Sequence, residues 1–220
     1  MPVTFIRYNK AKGADPPAES KQFQIGDFTG GASDKNLKRA PFYGLYDYSQ
    51  GGFIYLREEL ERAGITPNSY ITALEFQFKG WTTGYTANNQ IIKMAHTSER
   101  AFPSRTSPSY TDIGVSTLEE VKSNFTFVIP RKEDFEKLEF DKEFIWDGHN
   151  NILISWENRD GSWKSGYGHL RGIDSIDLED RSHFWFADKS YPTSDSSWDG
   201  FRANLKLWAR VAGSGQEGRL

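Results

Sequence analysis

The chain has 220 residues, a formal net charge of -3 and no cysteine. The missing cysteine excludes disulfide-stapled scaffolds, thiolate metal sites and a thiol nucleophile. The charge leaves no basic surplus for a run of phosphates, so nucleic-acid binding is not expected as the main task. No apolar stretch approaches the roughly 20 residues of a membrane span, so no membrane partner is expected, and Met1 to Tyr8 lack the apolar run of an export signal.

Aromatic residues make up 15% of the chain, with 16 Phe, 10 Tyr and 7 Trp. Such residues favour strands and fill sandwich cores. In chain order, Val3 to Tyr8 reads as a short strand and Lys10 to Ser20, with Pro16 and Pro17, as an arm. Phe23 to Phe28 reads as a strand, and Asp34, Lys35, Lys38 and Arg39 as an exposed loop. The spacing of Phe53, Leu56 and Leu60 predicts an amphipathic helix over about Gln50 to Ala63, capped by Ser49 and closed by Gly64. After Pro67 the period changes to two, which places Leu74, Phe76 and Phe78 inward on a strand.

Gly80 to Asn89 reads as a polar loop carrying Trp81 and Tyr85, followed by a strand at Ile91 to Thr97 and a loop at Ser98 to Ser109. Phe125, Phe127 and Ile129 alternate in a strand stopped by Pro130. The charge-dense segment Arg131 to Glu143 reads as a solvated connection, a short helix followed by a strand being the alternative. Phe144 to Trp146, the turn residues Asp147 to Asn150, and Asn151 to Trp156 together predict a β-hairpin. Ser162 to Gly172 is Gly-rich and aromatic, His183 to Ala187 is a short strand, and Tyr191 to Gly200 is a polar loop. The last strand, about Ala203 to Val211, turns Leu205, Leu207 and Ala209 one way and Lys206, Trp208 and Arg210 the other.

About ten strands with one short amphipathic helix predict an all-β fold, an antiparallel two-sheet sandwich of jelly-roll type. The expected organisation is an N-terminal arm at 1–22, a sandwich domain at 23–211 and a C-terminal tail at 212–220.

The motifs of serine hydrolases, zinc proteases and phosphate-binding loops are absent from the sequence. His96, His149, His169 and His183 form no pair at ligand spacing, so no metal site is expected. Calcium is the one cofactor left open, because Asp147, Asp160, Asp174, Asp177, Asp180, Asp195 and Asp199 fall near turns of the C-terminal half. Turn geometry alone also explains them. No acidic pair stands out for glycoside hydrolysis, and no enzymatic activity is expected. The better clue is a set of aromatic rings in polar loops: Trp81, Tyr85, Trp163, Tyr167 and Trp198. Such rings cover sandwich ends, anchor protein interfaces or stack on sugar faces.

Three segments follow one another in a recognisable order: S-Q-x-x-x-I-Y-L-x-x-E-L from Ser49 to Leu60, I-T-A-L-E-F from Ile71 to Phe76, and I-K-M-A-H-T from Ile92 to Thr97. The run F-x-W-D-G-x-N-N-I-L-I-x-W from Phe144 to Trp156 and a closing strand with Arg202, Asn204 and Leu205 come after them. This pattern resembles the jelly-roll domains of adhesin-like surface proteins of Bacteroidetes and of phage virion proteins. Ala203 stands where such domains carry proline. The resemblance implies a binding or structural sandwich and transfers no catalytic residue. A virion protein needs no export signal, so the expectation is a structural protein of a bacteriophage particle, on the capsid, collar or tail. It would bind other virion proteins in an oligomeric assembly through loops and terminal arms. The alternative is a carbohydrate-binding or adhesin module that binds surface glycans, extracellular or on a cell surface.

Overall fold

The computed structural model describes residues 19–26, 28, 34–37, 40–80, 85–103, 109–164, 170–174, 180–192, 196–199 and 201–211. Thirteen strands and one α-helix occur among them: β1 (Lys21–Ile25), β2 (Asp34–Leu37), β3 (Tyr48–Tyr55), α1 (Arg57–Ala63), β4 (Ser69–Phe78), β5 (Thr86–Thr97), β6 (Glu119–Val128), β7 (Asp134–Trp146), β8 (Asn151–Asn158), β9 (Leu170–Asp174), β10 (Ser182–Ala187), β11 (Ser196–Asp199), β12 (Phe201–Ala203) and β13 (Leu205–Arg210). One sheet runs β11-β10-β3-β8-β5-β6. The other is built on β4, which pairs with β13 and β7; β1 extends it beyond β13, and β9, with β2 and β12, joins it at Phe78. The ladders between described strands are antiparallel. The chain is thus an all-β, two-sheet antiparallel sandwich with one short helix.

Period-two patterning builds the core as expected. Leu74, Phe76, Phe78, Leu205, Leu207 and Ala209 are buried from one sheet, against Phe53, Ile92, Met94, Ile152, Ile154 and Trp156 from the other. Trp156 is the hub, with ring centroids of Phe42, Phe76, Phe125 and Phe127 5.1–6.2 Å away. A shift of register between Ile71 and Ala73 lets Ile71 join this core too, although strict alternation places it outward.

The predicted helix at Gln50 to Ala63 divides. Its first half is strand β3, and only Arg57–Ala63 is helical. Leu56, not Ser49, stands at the N-cap, and its N–H donates to the Glu59 carboxylate at 2.9 Å. Gly64 closes the helix in the left-handed conformation, φ 99°, as expected. Two glycines explain the division. Gly is a poor helix residue, and a side chain on Gly51 would sit 2.5 Å from the Pro41 carbonyl oxygen.

The predicted hairpin is also corrected. β7 pairs with β4 in one sheet and β8 with β3 and β5 in the other, so Asp147 to Asn150 is an arch between sheets. The turn chemistry is the expected one: the Asp147 carboxylate accepts the N–H groups of His149 and Asn150 at 2.8 and 2.9 Å. The charge-dense segment is the long strand β7, whose charged side chains lie on the solvent side, Lys137 over the Trp208 ring and Glu143 paired with Arg210. Asp34 to Leu37 and Ser196 to Asp199, both read as loop, pair as edge strands with β9 and β10. β1 begins at Lys21, two residues before the expected start of the sandwich. The predicted strand at Val3 to Tyr8, most of the arm, and the tail lie outside the described residues.

A third layer covers the outer face of the six-stranded sheet. The connection between β5 and β6 returns across it, and Phe102, Ile113 and Val115 pack on Ile54, Leu153, Ala95 and Trp185. Every residue of β8 is buried as a result.

Gly51→Ala separates the two readings of this segment. A helix would gain about 1 kcal/mol from the change, whereas the crowded strand should lose about 1–3 kcal/mol. Urea unfolding of the variant measures the sign.

Candidate functional site

Three connections and the start of β5 meet at the end of the sandwich where β3 begins and β8 and β10 finish. Asp47 ties them together. Its carboxylate accepts the N–H of Trp163 at 3.0 Å and of Lys189 at 3.2 Å, its carbonyl accepts from Gly161 at 3.0 Å, and its own N–H donates to Asp188 at 3.3 Å. Lys164 N–H donates to the Gly44 carbonyl, and Asn88 N–H to the Asp160 carboxylate at 2.9 Å. These bonds cross between loops that are distant in sequence, so the end is held in one arrangement.

The expected aromatic residues divide here. Trp163 is 63% exposed on this rigid end, with Leu45 at 36% beside the half-buried cluster of Tyr43, Tyr46 and Phe186. Tyr85 instead packs against the core, its ring edge-on to Phe42 at 6.2 Å, with a buried hydroxyl that has no hydrogen-bond partner. Burial, then the nearby Asp160 charge, push its hydroxyl pKa upward. Trp198 lies on β11, paired with His183 across the ladder. Trp81 and Tyr167 lie outside the described residues. Sequence reasoning missed Leu45, Tyr46 and Phe186, which gather only because β10 ends beside the segment before β3.

A second constellation lies next to this end, on the outer face of the six-stranded sheet. The register sets Gln50 of β3 beside Glu157 of β8 and Trp185 of β10, and Ser155 beside Gly52 and Lys93. Gln50 Nε2 donates to the Tyr110 hydroxyl at 2.8 Å and to Ser155 Oγ at 2.9 Å, and the Tyr110 hydroxyl donates to Ser155 Oγ at 2.9 Å. The Glu157 side chain is 4% exposed and lies between two cations, Lys93 Nζ at 2.8 Å and Arg159 Nε at 2.7 Å. The Arg159 guanidinium stacks 3.9 Å from the centre of the Tyr191 ring. The one sequence signal for this cluster is Glu157 itself, a charge at the end of the apolar run Asn151 to Trp156.

His183 completes the face. Its ring is 0% exposed, between Phe102 and Trp185 with centroids at 5.5 and 4.5 Å, and neither ring nitrogen has a hydrogen-bond partner. Burial lowers its pKa to about 4.

Among the described residues no three His, Asp or Glu side chains gather as a metal-ion site. Two of the aspartates considered for calcium are engaged by protein partners, Asp147 within its own turn and Asp160 by Asn88 of β5 and by Lys164. Burial of Asp147 works against its charge, but hydrogen bonds from Asn150 and His149 hold its pKa below the usual carboxylate range. Asp160 accepts from Asn88 and lies 3.4 Å from Lys164 Nζ. No helix among the described residues is long and apolar enough to cross a membrane. Compared with known proteins, the sequence matches no family model and no curated protein.

The buried imidazole makes a pH prediction. Its pKa falls from the ordinary value near 6.5 to about 4 on folding, so the folded state resists protonation. The stability that rests on the neutral ring is complete above pH 6.5 and is lost as the pH falls through 4. Between pH 7 and pH 4, wild type should lose on the order of 2 kcal/mol more than His183→Phe. Urea titrations of both proteins at the two pH values measure the difference.

Proposed function

We propose that this chain is a non-enzymatic structural protein of a bacteriophage particle. It docks neighbouring subunits through the loop end that carries Trp163 and through its terminal arms. The observation that carries the docking reading is a large indole standing mostly in solvent on a backbone pinned by Asp47. An exposed ring on a rigid frame loses little conformational freedom on binding and buries a large area, which makes it an interface anchor. Leu45 and the half-buried Tyr46–Phe186 pair add apolar surface at the same end of the sandwich.

The surroundings favour a protein partner over a sugar. A sugar site needs carboxylates and amides free for hydroxyl groups. Asp47 and Asp160 beside Trp163 are engaged by backbone N–H groups instead. Likewise Glu157, the most buried carboxylate near this end, is neutralised by Lys93 and Arg159, which supports a structural role over proton transfer. The virion context rests on the jelly-roll resemblance. That finer topology is supported by the arch at Asp147 to Asn150, which carries the chain from one sheet to the other. Glycan binding by an adhesin module is the second reading, favoured by the unobstructed indole of Trp163.

Mass spectrometry of purified particles should find the chain in stoichiometric amount, and its absence would remove the virion reading. Trp163→Ala should change stability by less than about 0.5 kcal/mol and sharply reduce incorporation into particles. Undiminished incorporation of a folded variant would show that this end is not the docking surface. Loss of polysaccharide retention with incorporation intact would favour the glycan reading.

A further inference from the structure

We propose that the cavity between β1 and α1 is a carboxylate-binding site, with Arg202 and Arg62 as its donors. The cavity has a volume of about 150 Å³, and Gln24, Gly26, Glu59, Arg62 and Arg202 line it. Gly26 forms one wall in a backbone conformation, φ 132°, in which a side chain would run into Asn204. The wall therefore stays open and backbone-lined.

The charges around the cavity do not cancel. Arg202 reaches it from β12 with its side chain 12% exposed, and pairs with Glu59. Glu59 is shared: its other carboxylate oxygen accepts the Leu56 N–H at 2.9 Å and lies 3.7 Å from Arg181. The Arg202 Nε–H is buried with no hydrogen-bond partner. Burial lowers the Arg202 pKa, so the cost of desolvating this guanidinium is not fully offset by its neighbours. Arg62, exposed on the last turn of α1, forms no ion pair among the described residues. Among the described lining residues Arg202 and Arg62 are cationic and Glu59, which Arg181 also approaches, is the one acid, so this lining is net positive. A planar guanidinium fork in a net positive lining matches a carboxylate, which is planar and accepts two parallel hydrogen bonds. The Gln24 side chain supplies a neutral polar group at the rim.

The carboxylate could be borne by a uronic-acid sugar or by an acidic peptide side chain. A nuclear magnetic resonance titration of the full chain tests the site, with sodium acetate as probe against sodium chloride at matched ionic strength. Acetate should produce saturable shifts at the Arg202 Nε–H and the Gly26 amide. Arg62→Ala, an exposed change that leaves the fold intact, should weaken acetate binding several-fold. Arg202→Lys, which keeps the charge and removes the fork, should abolish the saturable shifts. Tighter binding of glucuronate than of acetate supports the site with a sugar-borne ligand, and tighter binding of a short Asp-containing peptide supports it with a protein-borne one. No saturable shift, equal acetate affinity in wild type and Arg62→Ala, or binding of inorganic phosphate in place of acetate would overturn the proposal. The docking surface at Trp163 is a separate claim and survives any of these outcomes.

Discussion

The structure depends on a strand buried on both faces. One side of β8 carries Ile152, Ile154 and Trp156 into the space between the sheets, and the other carries Leu153 under the β5–β6 connection. Burying a strand twice removes water from every side chain it bears, and any polar group on it then needs a protein partner. Ser155 and Glu157 have theirs in Tyr110, Gln50, Lys93 and Arg159. His183, on the neighbouring strand β10, has none and remains neutral because a charged ring there would be unsolvated. The same dry face thus contains both a well-satisfied polar network and one titratable weakness.

The core and the loop end are mechanically continuous. The Trp156 indole N–H donates to Gln90 Oε1 at 2.9 Å, and Gln90 Nε2 donates to Asn158 Oδ1 at 2.6 Å. Asn158 also accepts the Asp160 N–H at 3.3 Å, and Asp160 accepts from Asn88 near the start of β5. A buried indole without a partner would cost stability. Here its partner begins a chain of bonds that reaches Asp160, in the connection after β8 that also carries Trp163. The loop after β8 is therefore tied to the aromatic centre of the sandwich, while Asp47 holds the Trp163 backbone.

Two surfaces with different chemistry follow from this frame. The loop end sets the exposed Trp163 and Leu45 among polar turn residues, and it is the surface proposed for docking. The cavity beside α1 is small and positively charged in a chain whose net charge is negative. The first would contribute area and the second directional charge recognition. Because β1 and α1 lie away from the Asp47 loops, the two surfaces can be altered independently.

The sequence by itself determined the class of fold and the inward faces of β4 and β13, because alternation is a local property of a strand half in water. It also determined the Gly64 helix end and the turn at Asp147 to Asn150, which rest on backbone geometry within a few residues. It could not choose a strand's partners. An Asp-Gly turn satisfies the same N–H groups in a hairpin and in an arch, so the separation of β7 from β8 into different sheets was decided by long-range packing. The Phe53, Leu56, Leu60 spacing fits a helix and also a strand that runs into one; Gly51 and Gly52 weigh against the helix, and the closeness of Pro41, which leaves no room for a side chain at Gly51, is a tertiary feature. Of the candidate site, Trp163 was legible as a ring in a polar loop. The Gln50–Tyr110–Ser155 network and the Arg202 cavity join residues from separate elements, and tertiary structure alone brought them together.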